Sequence, residues 1–101
     1  MTANELLAEI HPGRTILEDV VKPLGMSVNA LAKELHVPAT RLNDIVRGRR
    51  GVMADTALRL GRYSGTTAQF WLNLQSAYEL RVAERLKGPE IKKTINPRRA
   101  A

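Results

Sequence analysis

The chain contains no cysteine, which excludes disulfide staples and thiolate metal sites and suits a reducing cytoplasm. Aromatic residues are scarce: one Trp, one Phe and two Tyr. A core must therefore be built from Leu, Val, Ile and Ala, which favours packed helices over a β-sandwich. No stretch alternates apolar and polar residues as a strand would, and no apolar run approaches the length of a membrane span. Met1 to Ile10 holds Glu5 and Glu9 and no basic residue, unlike a secretory signal. With two histidines, no cysteine and no glycine-rich phosphate loop, no nucleophile–base pair and no ligand cluster emerges. No enzyme activity, cofactor or metal is expected.

Hydrophobic residues make up 44% of 101 positions, enough for one modest core and a single domain. The formal net charge of +6 points to a polyanionic partner, although basic charge also serves solubility. Placement favours the partner. Residues 1–40 are net negative, whereas residues 41–62 hold arginines at 41, 47, 49, 50, 59 and 62 against only Asp44 and Asp55. The remainder is basic too.

Periodicity divides the chain into five helices. His11-Pro12-Gly13 opens the first, whose stripe is Ile16, Leu17, Val20 and Val21; Pro23 and Gly25 close it. Ser27 is a cap for the second, with Leu31, Ala32 and Leu35 inward. His36-Val37-Pro38 is a break, and Pro38 suits the first turn of a new helix. Leu42, Ile45 and Val46 face inward on the third, which Gly48 ends. The fourth covers Ala54 to Ser64, with Ala57, Leu58 and Leu60 partly inside. Thr66 and Gln69 form a capping box for the fifth, on which Phe70, Leu74, Tyr78 and Val82 recur every fourth position. Trp71 and Leu72 broaden that face, and Gly88-Pro89 closes the helix. Met26 and Met53 read as packing residues, and His11 as structural. The expected organisation is an N-terminal arm over 1–10, a helical domain over 11–88 and a flexible basic tail over 89–101.

Two short helices joined by a tight break, the second followed by arginines, form a helix-turn-helix over 28–47. Ala32 is small where the helices approach; Leu31, Leu35, Val37, Leu42 and Ile45 fill the apolar positions. The turn, usually Gly, holds His36, for which a left-handed backbone is expected.

The third helix would present base readers from its N-terminal part: Pro38, Ala39, Thr40, Arg41, Asn43 and Asp44. Thr40 suits a base, a phosphate or a thymine methyl; Arg41 a guanine or a phosphate; Asn43 a bidentate adenine contact. Asp44 suits a cytosine amine, or an ion pair with Arg47 within the helix. Arg47, Arg49 and Arg50 are placed for phosphates, the alternative being solvated surface charge that suits the C-terminal dipole of the helix, and Ser27 and Asn29 reach the same backbone unless Ser27 is a plain cap.

The segment from Val28 to Arg47 resembles the helix-turn-helix of phage-repressor-like Cro/C1-type regulators. The resemblance is nearest to the HigA-type antitoxins of toxin–antitoxin modules. It rests on His11-Pro12-Gly13, on residues 23–27 (PLGMS), on residues 41–50 (RLNDIVRGRR), on residues 54–60 (ADTALRL), and above all on residues 70–75 (FWLNLQ) after a Gly-Thr-Thr turn. These cover roughly residues 11–80.

The resemblance implies an all-α, five-helix fold and a homodimer binding a palindromic operator in double-stranded DNA. It also implies a RelE-like, HigB-type mRNA endonuclease as the toxin partner. A cytoplasmic, nucleoid-associated location follows. The fifth helix is the expected dimer surface, with the N-terminal arm as the alternative. Two other functions compete: a regulator of the same fold without a toxin, and a helical protein-interaction module that has lost DNA binding.

Overall fold

His11 starts the fold by capping its first helix: its Nδ1 accepts from the Gly13 amide at 2.9 Å, while Pro12 supplies the fixed φ of a first helical residue. The computed structural model describes residues 9–99, so the expected arm over 1–10 lies outside the described residues except for Glu9 and Ile10. Helix α1 (Pro12–Thr15) runs on into a π-helical stretch, Ile16–Val21. There the Lys22 amide bonds to the Leu17 carbonyl, five residues back, at 3.0 Å. The wider turn brings Val21 round to join Ile16 and Val20 inside.

Helix α2 (Val28–Leu35) begins at Ser27, whose Oγ accepts from the Ala30 amide at 3.0 Å. It ends at His36, with φ 56° and ψ 43°. The Val37 amide then reaches the Ala32 carbonyl at 3.0 Å and the His36 amide reaches Lys33 at 3.2 Å, the paired bonds of a Schellman ending. Helix α3 (Ala39–Val46) follows with Pro38 as its cap, one position before the first turn the sequence suggested. It closes in the same way: the Arg49 amide bonds to Asp44 at 2.8 Å and the Gly48 amide to Ile45 at 3.0 Å. Gly48 takes φ 74°, which a side chain would resist.

Helix α4 (Ala54–Ser64) buries Thr56, Ala57, Leu60 and Gly61. Leu58, expected partly inside, is 64% exposed, and Met53 before the helix is 68% exposed rather than packed.

Helix α5 (Ala68–Thr94) departs from expectation in three ways. Its cap is Thr67, which accepts from the Phe70 amide at 3.1 Å. Thr66 instead accepts from the Trp71 indole at 2.9 Å, and Gln69 bonds to Asn73, so the Thr66–Gln69 capping box does not form. The buried stripe starts at Trp71, not Phe70, which is 41% exposed and meets Trp71 edge-on at 5.2 Å.

The helix also continues through Gly88-Pro89. Proline removes one backbone donor, but here it sits on an exposed stretch. The residues beyond it, Glu90 to Lys93, are largely good helix formers, and Lys92 and Lys93 suit the C-terminal dipole. The end of the helix therefore moves from 88 to Thr94: residues 89–94 are helical, and only 95–99 of the described tail lack regular structure.

The core joins Ile16, Val20 and Val21 to Leu31, Leu35, Leu42, Ile45, Val52, Ala57, Leu60 and Trp71. Gln75 is one of two buried polar residues, with Thr56, and its Oε1 accepts from the Val52 amide at 2.8 Å. At 1.5 Å per residue α5 is about 40 Å long. It extends the described chain to 53 Å against 29 and 23 Å in the other directions.

Candidate nucleic-acid interface

All six helix-turn-helix core positions, Leu31, Ala32, Leu35, Val37, Leu42 and Ile45, are buried. They seat α3 against α2 and leave its other face open. Three further contacts fix that seat. Gly13 lies against the end of α3, so close that a Cβ there would stand 2.8 Å from the Ile45 carbonyl carbon and the Val46 Cα. From α4, Arg59 Nη1 donates to the carbonyls of Leu35 at 3.0 Å and His36 at 3.4 Å, bracing the turn. From the start of α2, Asn29 Oδ1 accepts from Asn43 Nδ2 at 2.8 Å.

Pro38, Ala39 and Thr40 are exposed together at the N-terminal end of α3, with Ser27 and Asn29 exposed at the start of α2. Arg47, Arg49 and Arg50 are exposed around Gly48 at the other end. A helix of eight residues separates the two groups, and the arginines surround its closing turn.

Three expected readers are placed differently. Arg41 turns towards α4, where its Nη1 lies 3.3 Å from Asp55; its side chain is 29% exposed, and its Nε is buried without a partner among the described residues. Asp55 also holds Arg59 Nε at 3.1 Å, so one carboxylate joins two guanidiniums. Such partly exposed pairs contribute about 1 kcal/mol or less each. Their effect here is on direction, because they draw Arg41 away from the Thr40 side. Asn43 donates to Asn29 and also to the Ala39 carbonyl at 2.8 Å, which leaves no amide hydrogen for a bidentate adenine contact. Asp44 is half-buried, and no ion pair among the described residues joins it to Arg47.

The helix-turn-helix family model matches residues 17–71, just over half of the chain. Virulence-associated protein I of Dichelobacter nodosus is 57% identical over 84 residues, 83% of this chain and 77% of that protein. Among solved structures, the chain is similar to the Pseudomonas aeruginosa antitoxin HigA with the higBA promoter. The TM-score is 0.85 and the identity 47%, over 88% of this chain and 97% of that one. An addiction-module antidote protein of a HigA family from Coxiella burnetii gives a TM-score of 0.84 and 44% identity, over 89% and 98%. The chain belongs to the HigA antitoxin branch of the Cro/C1-type helix-turn-helix family. Among the described residues the five-helix, all-α expectation holds, and the family is one of regulators and antitoxins, not enzymes. Among the described residues, no helix is long and apolar enough to cross a membrane.

In this HigA-type chain, the residues that sequence reasoning missed are those that aim the helix. Asp55 and Arg59, four apart on α4, carried a visible ion-pair signal, but nothing local showed that Arg59 reaches the turn.

His11 holds a second device, because its ring stacks edge-on to Tyr78 at 4.9 Å while capping α1. Burial pushes its pKa below the ordinary histidine value; the Arg50 main chain and the Glu79 carboxylate oppose the shift. Folding therefore favours neutral His11, whose Nδ1 lone pair accepts the cap bond. This contribution is complete above the unfolded pKa of about 6.5 and is lost as pH falls from there towards the folded value. Thermal melts between about pH 8 and pH 5 should show wild-type losing stability more steeply than His11→Asn, which keeps an acceptor and does not titrate. Parallel curves would mean that His11 titration is not coupled to folding.

Proposed function

We propose that this chain is an antitoxin that binds a palindromic operator in its own promoter as a homodimer. We further propose that it neutralises a RelE-like, HigB-type toxin by forming a complex with it. The observation that carries the reading is the open face of α3, with Thr40 at one end and the arginine turn at the other. It stands on a fold similar to an antitoxin solved with its promoter.

In this reading Pro38, Ala39 and Thr40 approach the base edges, Asn43 and Asp44 follow on the same helix, and Asn29, Arg47, Arg49 and Arg50 hold phosphates, joined by the O–H of Ser27, whose oxygen caps α2. Arg41 acts through Asp55 as a positioning residue. One recognition helix spans only a few base pairs, so a two-fold pair with half-sites about 34 Å apart supplies useful specificity. Helix α5 offers the pairing surface, with Leu80, Leu86 and Ile91 exposed along its second half and Ile95 exposed just past its end.

Thr40→Ala is expected to flatten the base preference at one position of each half-site while leaving binding to unrelated DNA unchanged. A selection from randomised duplexes reads this, and an unchanged profile would take Thr40 off the base edges.

The toxin reading is tested by co-expression. The open reading frame adjoining the gene is induced with and without this chain, and the tagged chain is then recovered. Growth arrest relieved by the chain, with the two proteins co-purifying, is the expected result. No toxicity and no co-purification would leave a regulator of the same fold without a toxin.

A further inference from the structure

We propose that Asn43 reads the operator through Oδ1 alone, as a hydrogen-bond acceptor, and so selects a base that carries an exocyclic amine in the major groove. The inference rests on α3 being the recognition helix. A primary amide has two N–H donors and one oxygen. Both hydrogens of Asn43 are committed within the protein: Nδ2 lies 2.8 Å from the Ala39 carbonyl oxygen and 2.8 Å from Asn29 Oδ1. The main-chain carbonyl fixes this assignment. It can only accept, so the Asn43 atom facing it must be the nitrogen, and the Asn29 atom facing that nitrogen must be the oxygen.

Two consequences follow. The usual grip of asparagine on adenine uses an amide N–H on N7 and the amide oxygen on N6. Here the donor half is occupied, and only the oxygen is unspent. Asp44, the next residue on α3, adds a carboxylate, which also accepts. The bases that meet these two neighbours are therefore those with a major-groove amine, cytosine through N4 or adenine through N6. Guanine O6 and thymine O4 would set acceptor against acceptor, leaving both unpaired in a desolvated interface. On the other side of the pair, Asn29 has given up its oxygen and keeps both N–H groups. At the exposed start of α2 they are oriented as donors, the chemistry a phosphate oxygen requires.

The test uses the full chain and duplexes of its own promoter. A first comparison of wild-type with Asn43→Ala finds the operator positions whose preference depends on Asn43. At those positions each adenine is replaced by 7-deazaadenine, which lacks N7, and separately by purine, which lacks the 6-amino group. Each cytosine is replaced by pyrimidin-2-one, which lacks the 4-amino group. Removing the amine is expected to weaken wild-type binding roughly tenfold, and removing N7 to leave it unchanged. Asn29→Ala, which releases one amide hydrogen of Asn43, is expected to make binding sensitive to N7.

A tenfold loss with 7-deazaadenine in wild-type, a guanine or thymine preference at those positions, or no position that depends on Asn43 would overturn the inference. Each of these leaves operator binding intact. Failure of the functional reading would instead appear as wild-type binding that does not distinguish the promoter from scrambled DNA.

Discussion

Gly13→Ala is expected to destabilise the chain by about 3 kcal/mol, with a fall in melting temperature of about 12–24 °C for a domain of this size. The added methyl would press on the Ile45 carbonyl and stand 2.8 Å from Val46 Cα. Both are main-chain atoms near the end of α3, so no side chain can rotate away. Either α1 lifts or α3 shifts, and both open the core around Ile16, Leu42 and Ile45. Total stabilities of about 5–15 kcal/mol make this a large share.

Gly25→Ala is the informative comparison. Gly25 has φ 62° but open space around it, so its substitution incurs only backbone strain, about 1–2 kcal/mol. Chemical denaturation of the two variants ranks them. Gly13 has no positive φ, so equal losses would mean that the approach of α1 to α3 relaxes around a methyl at little cost.

Removing the arginine turn should have the largest effect on binding. Arg47, Arg49 and Arg50 are exposed, and alanine at these positions should change stability by no more than about 0.5 kcal/mol each. Every phosphate that goes unneutralised lowers the slope of log affinity against log salt by about 0.9, so the triple variant should drop by about 2.7 per protomer. Extrapolated to physiological salt, affinity falls by about two orders of magnitude per protomer, for operator and unrelated DNA alike. Arg47→Ala alone should lower the slope by about one. A slope unchanged in the triple variant would return these arginines to the role of solvated charge.

Much of this architecture is legible in the sequence because local rules govern it. Ser27 before an amphipathic octet, Ala32 at the helix crossing and Gly48 after Val46 are short-range signals, and each stands where expected. Even the left-handed His36 follows from the need for a reversal between two helices whose apolar positions are already assigned.

What escapes a local reading depends on partners distant in sequence. Phe70 starts a clean i+4 stripe, but the buried stripe begins one residue later and includes a glutamine, because Gln75 is needed to satisfy the Val52 amide. Arg41 sits where a base reader is expected, yet its direction is set by Asp55, fourteen residues on. Asn43 likewise answers to Asn29 across the turn. Pro89 is a strong stop signal that the flanking helix formers overrule. The exposure of Thr40 follows from helical periodicity, and that of Arg47, Arg49 and Arg50 from the end of α3 at Val46. The hydrogen bonds that decide which atoms Arg41 and Asn43 offer are tertiary.

The central claim, that α3 reads an operator in the chain's own promoter, is tested most directly by fluorescence anisotropy with two labelled duplexes, the promoter segment and its scrambled counterpart, across a salt series. Promoter binding is expected to be at least about a thousandfold tighter than scrambled binding at physiological salt, with two protomers on each site and a steep salt dependence for both duplexes. Equal affinity for the two duplexes at every salt concentration, or no binding to either, would contradict it.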